Sequence, residues 1–213
     1  MKPVLLGPLY SVYVRIVRIT LIEKAVAYDQ VTFDVFDRAD WPDDWLERQP
    51  FGLVPAFEHD GFRLYEARAI TRYIDEAFDG PALQPDDPRG RARMEQVISV
   101  LDGQGYWPMV RQIFIESIER PRNGEADEAV IAAAVPKAAR CLAALAGLIG
   151  DQPYLAGPAF SRADAHAVPM FQYFLEAPEG QQLLQAQPSL LAWWQRVAQR
   201  SSVQSTYVPP DPP

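Results

Sequence analysis

The chain has 213 residues and a formal net charge of -8; 48% of its residues are apolar and 23% are charged. A chain of this length forms one large domain or two small ones with an ample core, and the composition is ordinary for a soluble globular protein. The negative charge argues against binding to nucleic acid or to an anionic membrane surface, because both contacts need a basic protein surface.

Cysteine and histidine are scarce. The single cysteine, Cys141, excludes an internal disulfide and a thiolate metal cluster, and its apolar neighbours predict an inert core thiol. The two histidines lie far apart in the sequence and form no metal-ligand pair; we expect His59 at the surface and His166 to pack or cap within its helix. No apolar run approaches the roughly 20 residues of a membrane span, and the opening segment is too short for a secretion signal. We therefore expect a cytosolic protein.

The first eighty residues alternate between strand and helix patterns. A short apolar strand (2–6) precedes a segment with helical period (11–24), whose apolar face comprises Val14, Val17 and Leu21. The segment YDQVTFDVF (28–36) alternates apolar and polar residues. It predicts a half-buried strand with Val31, Phe33 and Val35 on its inner face.

A hairpin and a helix complete this part of the chain. Asp60-Gly61 between apolar pairs is a strong hairpin signal, because both central residues of such a turn take positive φ. Pro55 belongs at the first residue or edge of a strand, and its bond to Val54 is a candidate cis peptide. A helix is predicted from Glu66 to about Phe78. The order β-α-β and then β-β-α predicts a parallel strand pair that the hairpin extends in the antiparallel sense.

The rest of the chain is predicted to be helical. We divide the chain into a first domain (1–79), a proline-rich linker (80–88), an all-helical domain (89–207) and a mobile tail (208–213). Helices are predicted at 89–120, about 126–149, 162–176 and 189–201, with kinks or breaks at Pro108, Pro136 and Pro169. The segment SRAD (161–164) resembles a capping box at a helix start.

Three stretches follow one another along the chain: GPLYSVYVRIVRITL, QPFGLVPAFEHDGFRLYEARAI and LAGPAFSRADAHAVP. Taken together in this order, they resemble the cytosolic glutathione transferases, most closely the serine-type classes that include the plant phi enzymes and related bacterial ones. The resemblance covers nearly the whole chain. It implies a thioredoxin-like α/β N-terminal domain, an all-α C-terminal domain, and an enzyme that uses glutathione as co-substrate without a further cofactor.

The resemblance implies a glutathione site around the cis-proline hairpin. The backbone of Val54, before Pro55, would pair with the cysteinyl backbone of glutathione, and Leu53 and Ala67 would complete the site. Glu66 would hold the γ-glutamyl ammonium, while N–H groups at the helix start hold the γ-glutamyl carboxylate.

The resemblance also implies the group that activates the thiol. Ser11 would donate to the glutathione sulfur and favour the thiolate; the alternative is an ordinary helix N-cap. Tyr10 is the next candidate donor, and is also placed in the wall of an acceptor-substrate pocket with Tyr106 and Val110. As an aromatic stripe on a helix, the Tyr106 segment also fits a role in the core.

Three departures from the family pattern leave a second hypothesis open. Ala67 replaces a serine, Leu53 replaces a polar residue, and Asp40 and Trp41 occupy positions where basic residues often hold the glycine carboxylate, so that Arg38 is the remaining basic candidate. These departures favour a non-catalytic ligand carrier or regulatory interaction protein. Ser11, Val54-Pro55 and Glu66 favour the conjugation of glutathione to a small, mostly apolar electrophile.

The family resemblance further implies a homodimer. In it, the first domain of one subunit would pack on the helical domain of the other, with Phe51 as an apolar anchor. The alternative for Phe51 is a place in the core of its own subunit. A thiol-disulfide enzyme is disfavoured because no cysteine lies near residue 11.

Overall fold

The first domain is built on a mixed β-sheet. In the computed structural model, which describes residues 1–122 and 124–209, this sheet has four strands in the order β2-β1-β3-β4. They are β1 (Val4–Leu6), β2 (Asp29–Val31), β3 (Ala56–His59) and β4 (Phe62–Tyr65). β1 runs parallel to β2 and antiparallel to β3, and β3 pairs antiparallel with β4. The predicted thioredoxin-like order is confirmed, including a hairpin turn with φ of 51° at Asp60 and 80° at Gly61.

The helices of the first domain are α1 (Val12–Glu23), α2 (Trp45–Arg48) and α3 (Ala67–Ala77), with a short 3-10 turn at Arg38–Asp40. The sequence did not predict α2, which has only four residues.

Apolar side chains cover both faces of the sheet. Leu5 and Phe57 join a core that runs through α1 and α3 into the helical domain, whereas Leu6 and Ala56 pack with Phe33 and Trp45 on the opposite face.

The strand predicted at residues 28–36 is wrong beyond Val31. The chain leaves the sheet there because side chains compete for its backbone groups: the Asp40 carboxylate accepts from the Asp34 N–H, and Asp34 Oδ1 accepts from the Phe36 N–H at 2.9 Å. Val31, predicted to face inward, is 39% exposed. Phe33 is buried as predicted, but it lies beyond the end of the strand, and its ring is buried by edge-on packing against Trp45.

The second domain is helical, and one long helix begins it. α4 (Pro88–Val100) continues without interruption into π-helical segments at Leu101–Gly105 and Trp107–Glu119, and a 3-10 turn follows at Arg120–Arg122. The remaining helices are α5 (Glu128–Ile149), α6 (Arg162–Phe174), α7 (Pro178–Gln185), α8 (Pro188–Val197) and α9 (Ser201–Thr206). The connection between α3 and α4 runs from Phe78 to Asp87; the exact domain boundaries stay a prediction.

One helix prediction in this domain has a wrong end, and two short helices were missed. The helix predicted at residues 189–201 corresponds to α8, which ends at Val197; α7 and α9 were not predicted as separate helices. α7 and α8 both begin with a proline, Pro178 and Pro188, which fits the first turn of a helix because the absent N–H has no intrahelical partner there. None of Pro108, Pro136 and Pro169 ends its helix. Residues 210–213 of the predicted tail lie outside the described residues.

α5 is the most apolar long helix that the described residues contain. Its length and its mean hydropathy of 1.6 are sufficient for a membrane-spanning helix. The expectation that no segment approaches a membrane span is therefore wrong for this helix. About a third of its most apolar stretch is buried within the protein. Its buried residues include Ala134, Cys141 and Leu145, which belong to the main core, and a core helix of a folded domain passes the same test.

Candidate active site

The sheet register brings the predicted glutathione-site segments to the same end of the sheet. Val31, Leu6, Ala56 and Tyr65 form one row across the four strands. The loop to Ser11 follows Leu6, Val54-Pro55 precedes Ala56, and Glu66 follows Tyr65. Neighbouring strands lie about 5 Å apart and β3 lies between β1 and β4, so Leu6 and Tyr65 are separated by about 10 Å. This is the scale of a tripeptide.

Gly7 places the first loop directly against Val54. Its φ is +137°, and a Cβ at this position would lie 2.6 Å from Val14 Cγ2 and 3.1 Å from Val54 Cβ. Only glycine fits both the backbone conformation and the close approach. The start of α1 and the residue before the proline therefore form one side of the same cleft.

Ser11 is the N-cap of α1. Its Oγ accepts from the Val14 N–H at 3.5 Å, at the long limit for a hydrogen bond, and its side chain is half-buried. This contact uses a lone pair of the oxygen and leaves the hydroxyl proton free for another acceptor. The N-cap alternative is therefore present in the structure, and it is compatible with donation to a ligand.

Val54 has an unpaired backbone. The Val54-Pro55 peptide is cis, as predicted, and within the described chain neither the N–H nor the C=O of Val54 has a hydrogen-bond partner. Pairing of the sheet begins only at Ala56. Pro55 is buried, whereas Leu53 is 58% exposed. The free backbone groups can accept an added extended segment.

Glu66 starts α3 in an unusual conformation. Its φ is +70° and its ψ is 109°, a region sparsely populated by residues other than glycine, and its exposed side chain makes no capping hydrogen bond. Ala67, the first residue of the helix, is 5% exposed. The first-turn N–H groups of α3 therefore lack a side-chain cap and, with the helix dipole, favour an anion beside the Glu66 carboxylate.

Aromatic side chains lie on the other side of the first loop. Tyr10 is 44% exposed, and its carbonyl accepts from the Tyr173 hydroxyl at 2.8 Å. Burial of its ring, and then the charge of Asp34, raise the pKa of Tyr10, so this hydroxyl stays protonated at neutral pH. Tyr106 is partly buried, whereas Val110 is 4% exposed and presents little surface to a ligand.

The segment expected to hold the glycine carboxylate has one exposed cation. Arg38 lies over the Trp41 ring, 5.5 Å from its centroid, and the Asp40 carboxylate binds backbone as described above. Trp41 donates its indole N–H to the Val35 carbonyl at 3.1 Å. Arg38 thus remains the basic candidate, and Asp40 and Trp41 serve the local fold.

Comparison with known proteins identifies the family of the chain. The family models for the glutathione S-transferase N-terminal and C-terminal domains match residues 5–82 and 106–201. Glutathione S-transferase F7 of Arabidopsis thaliana is 30% identical over 195 residues, covering 90% of this chain and 92% of that protein. The chain belongs to the glutathione S-transferase family. Its relatives are plant phi-class enzymes, as the resemblance in the sequence implied.

Solved structures of this family share the transferase fold. Glutathione transferase F7 from Populus trichocarpa superposes with a TM-score of 0.85 and 28% identity, covering 96% of this chain and 97% of the other. Glutathione S-transferase I from mais in complex with an atrazine glutathione conjugate gives a TM-score of 0.85 and 26% identity, covering 97% and 96%.

Sequence reasoning missed one polar cluster of this transferase. Asp102 Oδ1 accepts from His166 Nε2 at 2.7 Å and from the Tyr13 hydroxyl at 3.3 Å. The Tyr13 ring packs against Tyr106, with centroids 4.9 Å apart. His166 is buried, but its hydrogen bond to Asp102 reaches the long helix and does not cap α6, the helix that carries it. No sequence motif joins these residues, since the bonded pairs are 64 and 89 positions apart.

Other reactive or charged groups lie outside the candidate site. Burial raises the pKa of the Cys141 thiol to about 12, in agreement with an inert core cysteine. No group of three or more potential metal ligands occurs in the described part of the transferase. A groove of 510 Å³ lies between α3 and α4, but its main charges are paired: Glu95 binds Arg68 and Arg162, and Glu76 binds Arg72.

Proposed function

We propose that this transferase conjugates the thiolate of glutathione to a small, mostly apolar electrophile, with Ser11 stabilising the thiolate. One observation carries the proposal. The sheet register brings the loop that leads to Ser11, the unpaired backbone of Val54 and the uncapped start of α3 to the same end of the sheet. Each of these offers the bonding group that a different part of glutathione requires.

Glutathione would lie along this end of the sheet as an added extended segment. Its cysteinyl N–H and C=O would bond to the backbone of Val54, next to Leu53 and Pro55. Its γ-glutamyl carboxylate would meet the N–H groups at Ala67 and the following residue, and its ammonium would pair with Glu66. In this pose the cysteinyl sulfur would lie toward Ser11 and the glycine carboxylate toward Arg38.

The chemistry is a nucleophilic attack by sulfur. The thiol proton leaves to solvent, the sulfur lone pair forms a bond to the electrophilic carbon, and the leaving group departs with its bonding electrons. The Ser11 hydroxyl donates to the sulfur, and the positive end of α1 acts in the same direction. Each unit by which the thiol pKa falls requires about 1.4 kcal/mol of preferential stabilisation, which one charge-assisted hydrogen bond supplies.

The electrophile would bind on the aromatic side of the cleft, against Tyr10, Tyr106 and the neighbourhood of Val110. The related enzyme from mais supports a small, mostly apolar electrophile as the second substrate, because its structure holds a glutathione conjugate of atrazine. Proximity to the bound thiolate contributes much of the rate, and the reaction uses glutathione as co-substrate with no further cofactor.

We also propose that the transferase is a cytoplasmic homodimer. Phe51 is 67% exposed, and its ring meets Tyr65 edge-on at 5.9 Å, so its outer face is available to a partner subunit. Light scattering at micromolar concentration should give twice the chain mass of 23.9 kDa. A monomer mass would contradict the proposal. Phe51→Ala should shift the mass toward the monomer.

The alternative is a ligand carrier or regulatory partner without catalysis. The departures at Leu53, Ala67 and Trp41 favour it, since each removes a polar contact that the family pattern provides. Ser11 favours the enzyme, because a carrier needs no hydroxyl donor at the glutathione sulfur; the strained conformation of Glu66 supports a ligand site under either candidate.

The test separates binding from chemistry. Retention on immobilised glutathione and conjugation of chlorodinitrobenzene are measured first; thiolate absorbance is then titrated against pH with saturating glutathione. Ser11→Ala should raise the pKa of the bound thiol and lower turnover at neutral pH by about ten- to hundredfold, with affinity nearly unchanged.

Asp87→Ala is the matched control. Asp87 caps α4 through Arg89 and Gly90 N–H groups, so its loss removes a helix cap remote from the thiol. If Ser11→Ala and Asp87→Ala behave alike, Ser11 is only a cap and Tyr10 is the next donor to test. If the unmodified protein binds glutathione but conjugates no electrophile, the carrier alternative holds.

A further inference from the structure

A hydrogen-bonded chain of three side chains connects the two domains beside the cleft. Tyr13 comes from α1, Asp102 from the Leu101–Gly105 segment and His166 from α6. His166 Nε2 donates to Asp102 Oδ1 at 2.7 Å, and the Tyr13 hydroxyl donates to the same oxygen at 3.3 Å. The arrangement fixes the His166 tautomer with its proton on Nε2, since a carboxylate is an acceptor.

This cluster is not an ordinary piece of apolar core. The side chain of His166 is 1% exposed, and within the described residues its buried Nδ1 has no hydrogen-bond partner, so the Nε2 contact is the hydrogen bond that orients the ring. The Asp102 side chain is 35% exposed. A buried polar group that is only partly satisfied costs stability, which indicates that its position serves something else.

The cluster reaches the aromatic side of the candidate site. The Tyr13 ring packs against Tyr106, with centroids 4.9 Å apart, and edge-on against His166 at 6.1 Å. Burial, and then the charge of Asp102, raise the pKa of Tyr13, so its hydroxyl stays protonated and able to donate. Tyr13 is thus held at both its hydroxyl and its ring.

We propose that Asp102 and His166 are positioning residues for the electrophile site. They hold Tyr13, and Tyr13 holds the ring of Tyr106 as a wall of that site. This inference rests on the proposed function, and specifically on Tyr106 as part of the electrophile site. Fixing an aromatic wall before the ligand arrives removes an ordering cost that would otherwise reduce affinity for the electrophile.

The expected signature is a change in the Michaelis constant (KM) of one substrate only. Tyr13→Phe removes a single hydroxyl and keeps the ring, and His166→Leu removes the other of the two donors to Asp102. Both should raise the KM for chlorodinitrobenzene by about three- to tenfold, the range that one hydrogen bond of modest net strength supplies. The KM for glutathione should change by less than about twofold, since no member of the cluster is among the groups at the end of the sheet that are proposed to bind glutathione.

Two further variants distinguish positioning from general destabilisation. His166→Gln keeps an N–H donor near the position of Nε2 and should restore most of the lost electrophile affinity. His59→Leu is the control, because His59 is the other histidine and also contacts a tyrosine, with Nδ1 2.9 Å from the Tyr73 hydroxyl, within the first domain. It should leave the electrophile KM unchanged, while thermal unfolding reports the stability of every variant.

Calorimetry with unreactive ligands provides an independent measurement. Tyr13→Phe should weaken the binding of S-dinitrophenylglutathione, which fills both halves of the site, but not the binding of glutathione. Equal changes for both ligands, or no change in the electrophile KM for Tyr13→Phe and His166→Leu, would overturn the inference. Failure of the unmodified protein to bind glutathione would instead overturn the proposed function, and this inference with it.

Discussion

Two helix starts in this transferase are built in opposite ways. At α6, the Asp164 carboxylate accepts from the Ser161 N–H and hydroxyl, both at 2.8 Å, from the Leu155 N–H at 2.9 Å and from the Trp193 indole at 2.8 Å. At α3, Glu66 makes no capping bond and has positive φ. One helix start has its local donors satisfied internally, and the other leaves them free.

The difference separates a structural helix start from a ligand-binding one. Ser161 and Asp164 are 3% and 0% exposed, whereas Glu66 lies at the surface. Donors buried away from water must be satisfied within the protein, because each unsatisfied one costs about 1–3 kcal/mol. Donors at an open cleft can remain unpaired until an anion binds, and they then contribute to affinity rather than to folding.

The largest effect should come from breaking the α6 start. Asp164→Ala removes the acceptor of four donors at once and leaves a cavity, so we expect a loss of about 4 kcal/mol or more in the free energy of unfolding. Chemical denaturation measures this loss. Alkylation of Cys141 at pH 8 should accelerate in parallel, since the raised thiol pKa and burial protect it in the native state.

Asp127→Ala is the control for this comparison. Asp127 caps α5 by accepting from the Ala129 and Val130 N–H groups at 3.1 and 3.2 Å, but this helix start is exposed. Its loss should cost only about 1 kcal/mol. Equal losses for Asp164→Ala and Asp127→Ala would mean that burial of the donors does not set the cost.

The second-largest effect should come from the start of α3. Here the contribution of the Glu66 side chain to binding can be separated from the cost of its backbone conformation in stability. Glu66→Ala removes the partner of the γ-glutamyl ammonium and should weaken glutathione binding by about ten- to hundredfold. Glu66→Gly should bind equally weakly, but it should be about 1 kcal/mol more stable than Glu66→Ala, because glycine takes positive φ without a steric cost.

Calorimetry and denaturation together decide this prediction. If both Glu66 variants bind glutathione like the unmodified protein, the γ-glutamyl group does not lie at the start of α3. If Glu66→Gly gives no gain in stability over Glu66→Ala, the backbone at this position is not strained.

Structural features that depend on neighbouring residues could be predicted from the sequence, whereas features that depend on distant residues could not. The turn at Asp60-Gly61 and the box at Ser161–Asp164 were predicted because their signals lie within four residues. The end of β2 was misplaced because Asp40 captures the backbone six residues before it, a competition that alternation of apolar residues does not record. α2 was missed because four residues carry no period.

The same distinction applies to the site. Ser11, Val54 and Glu66 could be proposed because family motifs mark them. Their alignment follows from strand register, which the hairpin and the parallel pair largely determine. The Tyr13–Asp102–His166 cluster could not be predicted, since it depends on how α1, α6 and the long helix pack across the two domains.

The smallest effect should come from adding to the α3 start what the family pattern has and this chain lacks. Ala67→Ser restores a hydroxyl at the first residue of α3, where it can donate to the γ-glutamyl carboxylate beside the first-turn N–H groups. One such bond corresponds to about 1 kcal/mol, so glutathione affinity should rise about fivefold by calorimetry. Ala69→Ser is the control, because Ala69 is exposed on the opposite side of the same turn and should leave affinity unchanged. If Ala67→Ser gains no more than Ala69→Ser, the carboxylate lies elsewhere, and the uncapped start of α3 has to be explained without glutathione.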